Sequence, residues 1–213
     1  IYKLPLICLD NQHRLTHLKI KVPKKYLKEY TIAKIAVDRL VSRADSFIIL
    51  SFNKGKIQRD KEKTFVVEPI LREEIMSLQT KITDQVLVYM TKKDDKALEV
   101  IKKINHKFIV YGYGIEKQEE NLIFKKVGPG FIEDLANTKA IIASAGFTLI
   151  SEAIYLKKPY FAIPLKGQFE QALNALFLKQ AGLGDFSEKP TLNKVKMFFH
   201  KLNFYEKNLE KRK

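Results

Sequence analysis

Cysteine, tryptophan and long apolar runs are what this sequence lacks. It has one cysteine, Cys8, and no tryptophan among its 213 residues. A single cysteine excludes an internal disulfide framework and suits a reducing compartment. Cys8 lies in an apolar run, and we interpret it as a small core residue. There is neither an apolar run of transmembrane length nor a basic-then-apolar leader. This predicts a cytoplasmic protein that is soluble or peripheral on the inner face of the membrane.

Acidic residues are also scarce. The chain has 24 acidic residues against 39 lysines and arginines, which gives a formal net charge of +15. The basic residues are densest in residues 19–28 and 201–213. Such a charge attracts polyanions, which include nucleic acid, anionic lipid and acidic small molecules. No nucleic-acid motif with interleaved aromatic residues is present, so nucleic acid is not an expected partner. A solvated lysine surface and a patch facing an anionic membrane stay open as explanations of the charge.

Short apolar runs that alternate with helical patterns are abundant. Hydrophobic residues make up 46% of the chain, which is enough for a substantial core. Residues 85–90, 107–111 and 140–143 have the pattern of buried strands, and residues 193–207 have the pattern of a closing amphipathic helix. This alternation predicts an α/β fold with βαβ units and a mainly parallel sheet.

Residues 140–175 carry the pattern on which the functional interpretation depends. An apolar strand is followed by small residues ending in Gly146, and then by a helical segment that begins at Phe147. Glycine lets the backbone approach a ligand closely, and the first N–H groups of a helix, aided by its dipole, favour an anion. We therefore expect a phosphate or diphosphate here, with the Glu152 carboxylate near the hydroxyl groups of an attached sugar. A second apolar run ends at Pro164, before a polar group formed by Gln168, Glu170, Gln171 and Asn174.

The same stretch resembles the donor-binding signature of GT-B glycosyltransferases. The matching positions are Ser144-Ala145-Gly146-Phe147-Thr148, Ser151-Glu152, Lys158-Pro159, Pro164, Gln168-Phe169-Glu170-Gln171 and Asn174-Ala175. The chain is most similar to the glycosyltransferase family 28 C-terminal domain group. That group contains the peptidoglycan lipid-intermediate N-acetylglucosaminyltransferase and glycosyltransferases of the teichoic-acid biosynthesis type. The resemblance implies a GT-B fold built from Rossmann-like parallel-sheet domains.

The resemblance covers nearly the whole chain but is stronger in the second half. Residues 83–213 are similar to a nearly complete C-terminal, nucleotide-sugar-binding domain with its closing helix. Residues 1–82 are similar to only part of the N-terminal, acceptor-side Rossmann-like domain. Pro69 and the polar residues up to 84 are typical of a hinge between the two. Because the N-terminal domain is represented only in part, this stretch of the enzyme need not be active alone.

The resemblance assigns a role to each part of the donor site. The Gly-led helix faces the nucleotide diphosphate, Glu152 binds ribose, and the pair Glu170 and Gln171 binds the donor sugar. The first position of that pair is usually Gln or Asp, so a glutamate there leaves the donor sugar open. Phe131 and Ile132 match the segment beside the base, although a hydrophobic staple before the helix explains them equally well. The complete predicted set is Phe131, Ile132, Ser144, Gly146, Phe147, Thr148, Ser151, Glu152, Gln168, Glu170, Gln171 and Asn174.

A polar cluster follows the first strand, at a position where loops of open α/β sheets form ligand crevices. It consists of Asp10, Asn11, Gln12 and His13, and the resemblance implies that the matching motif binds the acceptor. His13 is a candidate catalytic proton acceptor because imidazole titrates near neutrality. A cluster that only caps the loop is the alternative. The other histidines show no partner spacing, so neither a metal site nor a cofactor is expected.

The implied function is transfer of a hexose or N-acetylhexosamine from a nucleotide-diphosphate sugar to an acceptor hydroxyl, with UDP favoured as the nucleotide. The resemblance further implies inversion at the anomeric carbon, a glycan or lipid-linked acceptor, and a role in cell-envelope polysaccharide or glycolipid synthesis. Two alternatives stay open. One is a nucleotide-sugar-binding subunit of a split glycosyltransferase, and the other is a nucleotide-sugar epimerase that uses the same type of cleft.

Overall fold

A computed structural model describes residues 4–40, 44–53, 55–81 and 83–212 of the chain. By their contacts the residues divide into two compact units, unit 1 (Ile1–Ile70) and unit 2 (Leu71–Lys213). The stretch 71–81, which the sequence interpretation assigned to the hinge of the first domain, therefore has its contacts in unit 2. The functional boundary after residue 82 stays a prediction. Within the described ranges, no helix has both the length and the apolar character needed to cross a membrane.

Unit 1 contains a three-stranded parallel sheet in the order β1-β2-β3. Its strands are β1 (Ile7–Asp10), β2 (Ser46–Leu50) and β3 (Thr64–Val67). Its helices are α1 (Arg14–His17) and α2 (Leu27–Leu40), the second of which follows a 3-10 turn at Lys24–Tyr26.

The two faces of this sheet have different surroundings. On one face, Phe47 and Ile49 of β2 pack with Leu18 in a small core. On the other face, the strand pairing places Leu9 and Phe65 beside Ile48. Parallel sheets are normally covered on both faces, but here several apolar side chains of the outer strands meet solvent. These exposed side chains are Ile7, Leu9, Phe65 and Val67.

Unit 2 contains a seven-stranded sheet in the order β10-β9-β8-β4-β5-β7-β6, in which only the β6–β7 pair is antiparallel. Its strands are β4 (Gln85–Tyr89), β5 (Lys107–Tyr111), β6 (Lys117–Glu119), β7 (Leu122–Phe124), β8 (Ala140–Ala143), β9 (Tyr160–Ala162) and β10 (Gly184–Phe186). Its helices are α3 (Glu73–Met76), α4 (Asp95–Lys102), α5 (Gly130–Asn137), α6 (Phe147–Tyr155), α7 (Phe169–Gln180), α8 (Leu192–His200) and α9 (Leu202–Glu210). The predicted α/β fold with a mainly parallel sheet is confirmed.

The order of the strands has a topological switch point between β4 and β8, where the direction in which strands are added to the sheet reverses. The chain enters the sheet at β4, extends it through β5 and β7 on one side, and then returns to build β8, β9 and β10 on the other. All four residues of β8 are buried, as its uninterrupted apolar run indicates. In open α/β sheets, ligands bind at the carboxyl ends of the strands beside such a switch point. The turn after β8 is therefore the expected place for a ligand in unit 2.

The closing helix is in two pieces. The sequence pattern predicted one helix over residues 193–207, whereas α8 ends at His200 and α9 begins at Leu202. In a continuous helix Tyr205, seven positions after Phe198, would lie about 10 Å further along the helix axis. The break lets the two rings stack with their centroids 5.5 Å apart. Helical structure was thus predicted correctly for these residues. The prediction of one continuous helix was wrong, because ring stacking is a tertiary contact that the local sequence pattern does not reveal.

Lys158, in the connection between α6 and β9, is buried and gives a testable pH dependence. Burial lowers its pKa to about 8 from an ordinary 10.5, and the charge of Glu206 offsets only part of this. Between these values the unfolded chain holds more protons than the folded one, so Lys158 makes stability rise with pH, by up to about 1.4 kcal/mol per pH unit. We expect Lys158→Met to remove this rise and to stabilise the protein near neutral pH, because the buried charge is gone.

Urea unfolding at several pH values from neutral to alkaline measures both effects. Lys166→Met is the control, because Lys166 is exposed and its replacement should leave the pH profile unchanged. The same alkaline rise in Lys158→Met and in the unmodified chain would contradict the assignment.

Candidate functional site

The turn between β8 and α6 is fixed by hydrogen bonds to Ser144. The Ser144 hydroxyl oxygen accepts the backbone N–H of Thr91, after β4, at 3.2 Å. The carbonyl oxygen of Ser144 accepts the hydroxyl of Tyr160 at 2.6 Å and the N–H of Gly146 at 2.9 Å. Ser144 was predicted to bind the donor, but its side chain is buried and holds the turn against the neighbouring strand ends.

Gly146 precedes α6 and leaves open space beside the start of the helix. Its φ of −68° and ψ of 138° are extended values that any residue adopts. A Cβ atom placed there would have no heavy atom of any residue outside 145–147 within 4 Å. At Gly184, by contrast, a Cβ would lie 1.9 Å from the carbonyl oxygen of Tyr160. Packing therefore requires glycine at 184 but not at 146, where the space lies beside helix N–H groups that favour an anion.

The side chains of α7 join the turn at Gly146 to the loop that precedes α7. The amide oxygen of Gln171 accepts the N–H of Ala145 at 3.2 Å and the N–H of Leu165 at 3.0 Å. The amide nitrogen of Gln171 donates to the Gln168 side chain at 2.7 Å. The buried Asn174 donates to the carbonyl oxygen of Ala145 at 3.0 Å. Gln171 and Asn174 thus bind backbone groups of both loops and hold them together.

The start of α6 exposes one hydroxyl and buries another. Thr148, in the first turn, is exposed. The hydroxyl of the buried Ser151 donates to the carbonyl oxygen of Phe147 at 2.8 Å. Of the two hydroxyl groups predicted on this helix, that of Thr148 therefore lies at the surface beside Gly146, whereas that of Ser151 bonds within the helix.

Glu152 is bound at both carboxylate oxygens by Arg72. The guanidinium of Arg72 donates at 2.7 Å to Oε1 and at 3.0 Å to Oε2. The Glu152 side chain is 2% exposed, whereas that of Arg72 is 44% exposed. The hydrogen bond to Glu152 raises the pKa of Arg72 above its ordinary value, although burial opposes this. The carboxylate predicted to bind ribose is thus covered by a cation of the same unit.

Phe131 and Ile132 lie in the first turn of α5, beside the carboxyl ends of β4 and β5. The ring of Phe131 lies 5.5 Å from that of Tyr89 and 5.0 Å from that of Tyr111, both measured between centroids. Phe131 and Ile132 are each half-buried. Tyr111 is buried, so the aromatic surface at this edge of the sheet comes from Phe131 and Tyr89. These contacts agree equally with a place beside a base and with a staple at the start of the helix.

In unit 1, the polar cluster after β1 is joined by hydrogen bonds that centre on the carboxylate of Asp10. Oδ1 of Asp10 accepts the backbone N–H groups of Gln12 and His13, each at 2.9 Å. Oδ2 of Asp10 lies 2.6 Å from Nδ1 of His13 and accepts the Cys8 thiol at 3.3 Å. Burial disfavours ionisation of Asp10, but the hydrogen bonds from His13 outweigh it and lower its pKa to about 2. Burial and the neighbouring Asp10 raise the pKa of Cys8 to about 11.

His13 is enclosed within unit 1. It is 2% exposed, and its ring centroid lies 4.8 Å from that of Phe47 and 5.4 Å from that of His17. A general base must reach the proton that it takes, so this burial does not support His13 as the proton acceptor. Asn11 is half-buried and Gln12 is exposed, which leaves Gln12 as the most accessible side chain of the predicted acceptor group.

Comparison with known proteins identifies the family. The sequence profile described as Glycosyl transferase family 1 matches residues 1–203. The chain belongs to glycosyl transferase family 1. The predicted resemblance to glycosyltransferases is therefore confirmed, whereas the finer placement in the family 28 group stays a prediction. No curated protein matches the sequence.

Solved structures similar to this family 1 chain are GT-B glycosyltransferases. LpCGTa in complex with UDP has a TM-score of 0.64 and 13% identity, and the match covers 98% of this chain and 64% of that one. UGT2 of Phytolacca americana, complexed with UDP-2-fluoroglucose and pterostilbene, has a TM-score of 0.61 and 15% identity over 86% of this chain and 50% of that one. The glycotransferase of kitacinnamycin has a TM-score of 0.61 and 15% identity over 87% of this chain and 54% of that one.

These identities show the fold alone, which is the GT-B fold. The chain spans between 50% and 64% of the length of these three structures.

The sequence prediction for this family 1 chain missed Arg72. Arg72 is a single arginine in an irregular polar stretch, 80 residues before its partner Glu152, and no periodic pattern marks it. The prediction also did not anticipate that Gln171 and Asn174 bind backbone groups. Gln168 and Glu170, which it assigned to the sugar, are exposed at the start of α7. The structure thus brings the Gly146 turn and the α7 loop together, while the ligand-binding role of each residue stays a prediction.

Proposed function

We propose that unit 2 binds a nucleotide-diphosphate sugar, with UDP favoured, and that the protein transfers its hexose or N-acetylhexosamine to an acceptor hydroxyl with inversion. The observation that carries this proposal is the open space at Gly146, at the N-terminus of α6, beside the loop that Gln171 holds in place. The complexes of similar structures with UDP and with UDP-2-fluoroglucose support the choice of ligand class. Membership of glycosyl transferase family 1 supports the reaction class.

In the proposed reaction, the start of α6 stabilises the leaving group. Cleavage of the bond to the sugar leaves growing negative charge on the diphosphate oxygens. The N–H of Gly146 donates to Ser144, so the donors proposed for the diphosphate are the N–H groups of the first turn of α6, which begins at Phe147, and the exposed hydroxyl of Thr148. These groups and the positive end of the helix dipole are fixed before the reaction begins. Preorganised dipoles of this kind stabilise a developing charge without reorganisation during the step. They therefore lower the barrier to departure of the nucleotide.

The other parts of the donor are proposed to contact residues along the same edge of the sheet. We assign Phe131 and Ile132 to the base, where the half-buried ring of Tyr89 extends the apolar surface. The exposed Gln168 and Glu170 are assigned to the sugar. Glu152 is assigned to the ribose, and this requires the guanidinium of Arg72 to share the carboxylate or to move from it. Held in this way, donor and acceptor react without the entropic cost of a bimolecular encounter.

The acceptor and the cellular setting follow from the predicted role of the first strand end. Asp10, Asn11 and Gln12 are proposed to contact a glycan or lipid-linked acceptor, and Gln12 is the most accessible of them. We do not assign the general base to His13, because its ring is buried. The net charge of +15 supports a peripheral position at an anionic membrane during cell-envelope synthesis.

Calorimetric titration with UDP, UDP-glucose, UDP-N-acetylglucosamine, uridine and inorganic phosphate tests the donor proposal. We expect one nucleotide-sugar site per chain, and about 10-fold weaker binding of UDP and of uridine by Glu152→Gln, because the ribose loses a charged acceptor. The matched control is Glu99→Gln, on the exposed side of α4. Absence of binding by the unmodified chain to all three nucleotides would refute the proposal. Unchanged affinity in Glu152→Gln would remove the ribose assignment.

A further inference from the structure

Three side chains with different metal-binding atoms converge after β1. The Cys8 sulfur, the Asp10 carboxylate and the His13 imidazole place one ligand atom each within 4.8 Å of one another. Cys8 and Asp10 are two residues apart on a strand, so both side chains lie on the same face of the sheet. His13 is the residue immediately before α1, and its ring folds back onto Asp10. The sequence interpretation missed this group because it treated Cys8 as a core residue and assigned Asp10 and His13 to the acceptor.

The distances in this group are close to those of a tetrahedral site. Zinc bond lengths of about 2.3 Å to sulfur and about 2.0 Å to nitrogen or oxygen imply ligand separations of about 3.5 Å for pairs with sulfur and about 3.3 Å for the other pair. The Cys8 sulfur lies 3.6 Å from Nδ1 of His13 and 3.3 Å from Oδ2 of Asp10. Asp10 Oδ2 and His13 Nδ1 are 2.6 Å apart because they share a hydrogen bond. Metal binding would replace that bond and widen this one separation by about 0.7 Å.

The ligands are held in place by contacts outside the group. Two backbone N–H groups bind Oδ1 of Asp10, which leaves Oδ2 directed at His13 and Cys8. The His13 ring packs against Phe47. Supporting contacts of this kind orient ligands in metal sites. Asp10 keeps 28% of its side chain exposed, so the group is open to an entering ion and to a water molecule as fourth ligand.

We propose that Cys8, Asp10 and His13 form a binding site for a borderline-soft divalent cation, of which Zn²⁺ is the type. One sulfur, one nitrogen and one oxygen ligand suit Zn²⁺ and Co²⁺ better than Mg²⁺ or Ca²⁺, which prefer oxygen alone. On binding, the thiol proton leaves for solvent, and His13 binds through a deprotonated Nδ1 while Nε2 carries a proton, so that the imidazole stays neutral. Thiolate and carboxylate then balance the two charges of the ion. All three ligands belong to unit 1, where Asp10 is also assigned to the acceptor, whereas the residues proposed for the donor belong to unit 2.

Titration of the full chain with Co²⁺, after treatment with a chelator, tests the site by absorption spectroscopy. A thiolate ligand produces a sulfur-to-cobalt charge-transfer band in the near ultraviolet. The chain has one cysteine, so this band can arise only from Cys8. We expect it to saturate at one Co²⁺ per chain, to accompany intense visible bands of tetrahedral cobalt, and to disappear on addition of Zn²⁺. Mg²⁺ should produce no change.

Single substitutions separate this site from adventitious binding. Cys8→Ser should abolish the charge-transfer band, and Asp10→Asn should weaken Zn²⁺ binding by at least about 100-fold, since loss of supporting contacts alone costs about 10–100-fold. His200→Gln, at an exposed histidine, should leave both unchanged. Circular dichroism verifies that each variant is folded. A hydrogen-bonded cluster without metal affinity would give no charge-transfer band, and Zn²⁺ affinity unchanged in Cys8→Ser would equally overturn the proposal.

Discussion

Replacing Arg72 with methionine is expected to destabilise unit 2 by about 3 kcal/mol, because it leaves the Glu152 carboxylate buried without its cation. Glu152 is 2% exposed at its side chain and loses both hydrogen bonds from the guanidinium. The opposite change, Glu152→Gln, should cost only about 1 kcal/mol, since Arg72 is 44% exposed and its freed guanidinium can be solvated. Urea unfolding at neutral pH and constant ionic strength measures both values.

A double variant and an exposed ion pair serve as controls for this prediction. Glu152→Gln introduced into Arg72→Met should recover part of the lost stability, because it removes the uncompensated charge. Arg59→Met breaks the pair of Arg59 with Asp38, in which both side chains are more than a third exposed, and should cost less than about 1 kcal/mol. Equal losses in Arg72→Met and Arg59→Met would show that the carboxylate of Glu152 does not depend on its partner.

Gly146→Val is expected to leave the fold stable and to weaken nucleoside diphosphate binding by at least about 100-fold, or about 2.7 kcal/mol. The extended backbone at Gly146 is compatible with a β-branched residue, and no heavy atom outside residues 145–147 lies within 4 Å of a Cβ placed there. Gly146 is the N-cap residue of α6, where valine is less favourable than glycine, so the loss of unfolding free energy should be about 1 kcal/mol. The valine side chain would occupy the space assigned to the diphosphate. Calorimetry with UDP and thermal unfolding measure the two effects.

Gly184→Ala and a phosphate-free ligand complete this experiment. A Cβ at residue 184 would lie 1.9 Å from a backbone oxygen, so this smaller substitution should destabilise unit 2 severely. Uridine, which has no phosphate, should keep most of its affinity for Gly146→Val, because its predicted contacts lie along the edge formed by Phe131 and Glu152. If Gly146→Val binds UDP as tightly as the unmodified chain, the diphosphate is not at the start of α6.

The parts of the fold that were predictable from sequence are those set by local pattern. β4 and β8 are uninterrupted apolar runs, which are typical of strands covered on both faces, and both are strands in the structure. The turn at Gly146 was recognisable because small residues separate such a strand from a helical pattern. The break between α8 and α9 at Lys201 was not recognisable, since it depends on stacking of Phe198 on Tyr205.

The parts of the candidate site that were not predicted depend on contacts between residues distant in sequence, or on which partner a polar side chain binds. Arg72 reaches Glu152 across 80 residues, and a single arginine has no periodicity to reveal it. Gln171 was assigned to a sugar because it is an amide in a matching motif, but an amide binds backbone N–H groups equally well. Cys8 has the apolar neighbours of a core residue, and only the fold of the chain after β1 places it beside Asp10 and His13.

The apolar face of the unit 1 sheet has a consequence for the colloidal behaviour of the polypeptide. Ile7, Leu9, Phe65 and Val67 meet water together, and such patches draw molecules to one another. The large excess of positive charge opposes this attraction, because the molecules repel one another. Salt weakens the repulsion, with a screening length of about 8–10 Å at ordinary ionic strength. Added salt should therefore lower the solubility of this polypeptide, and dilute, low-salt buffers should keep it dispersed.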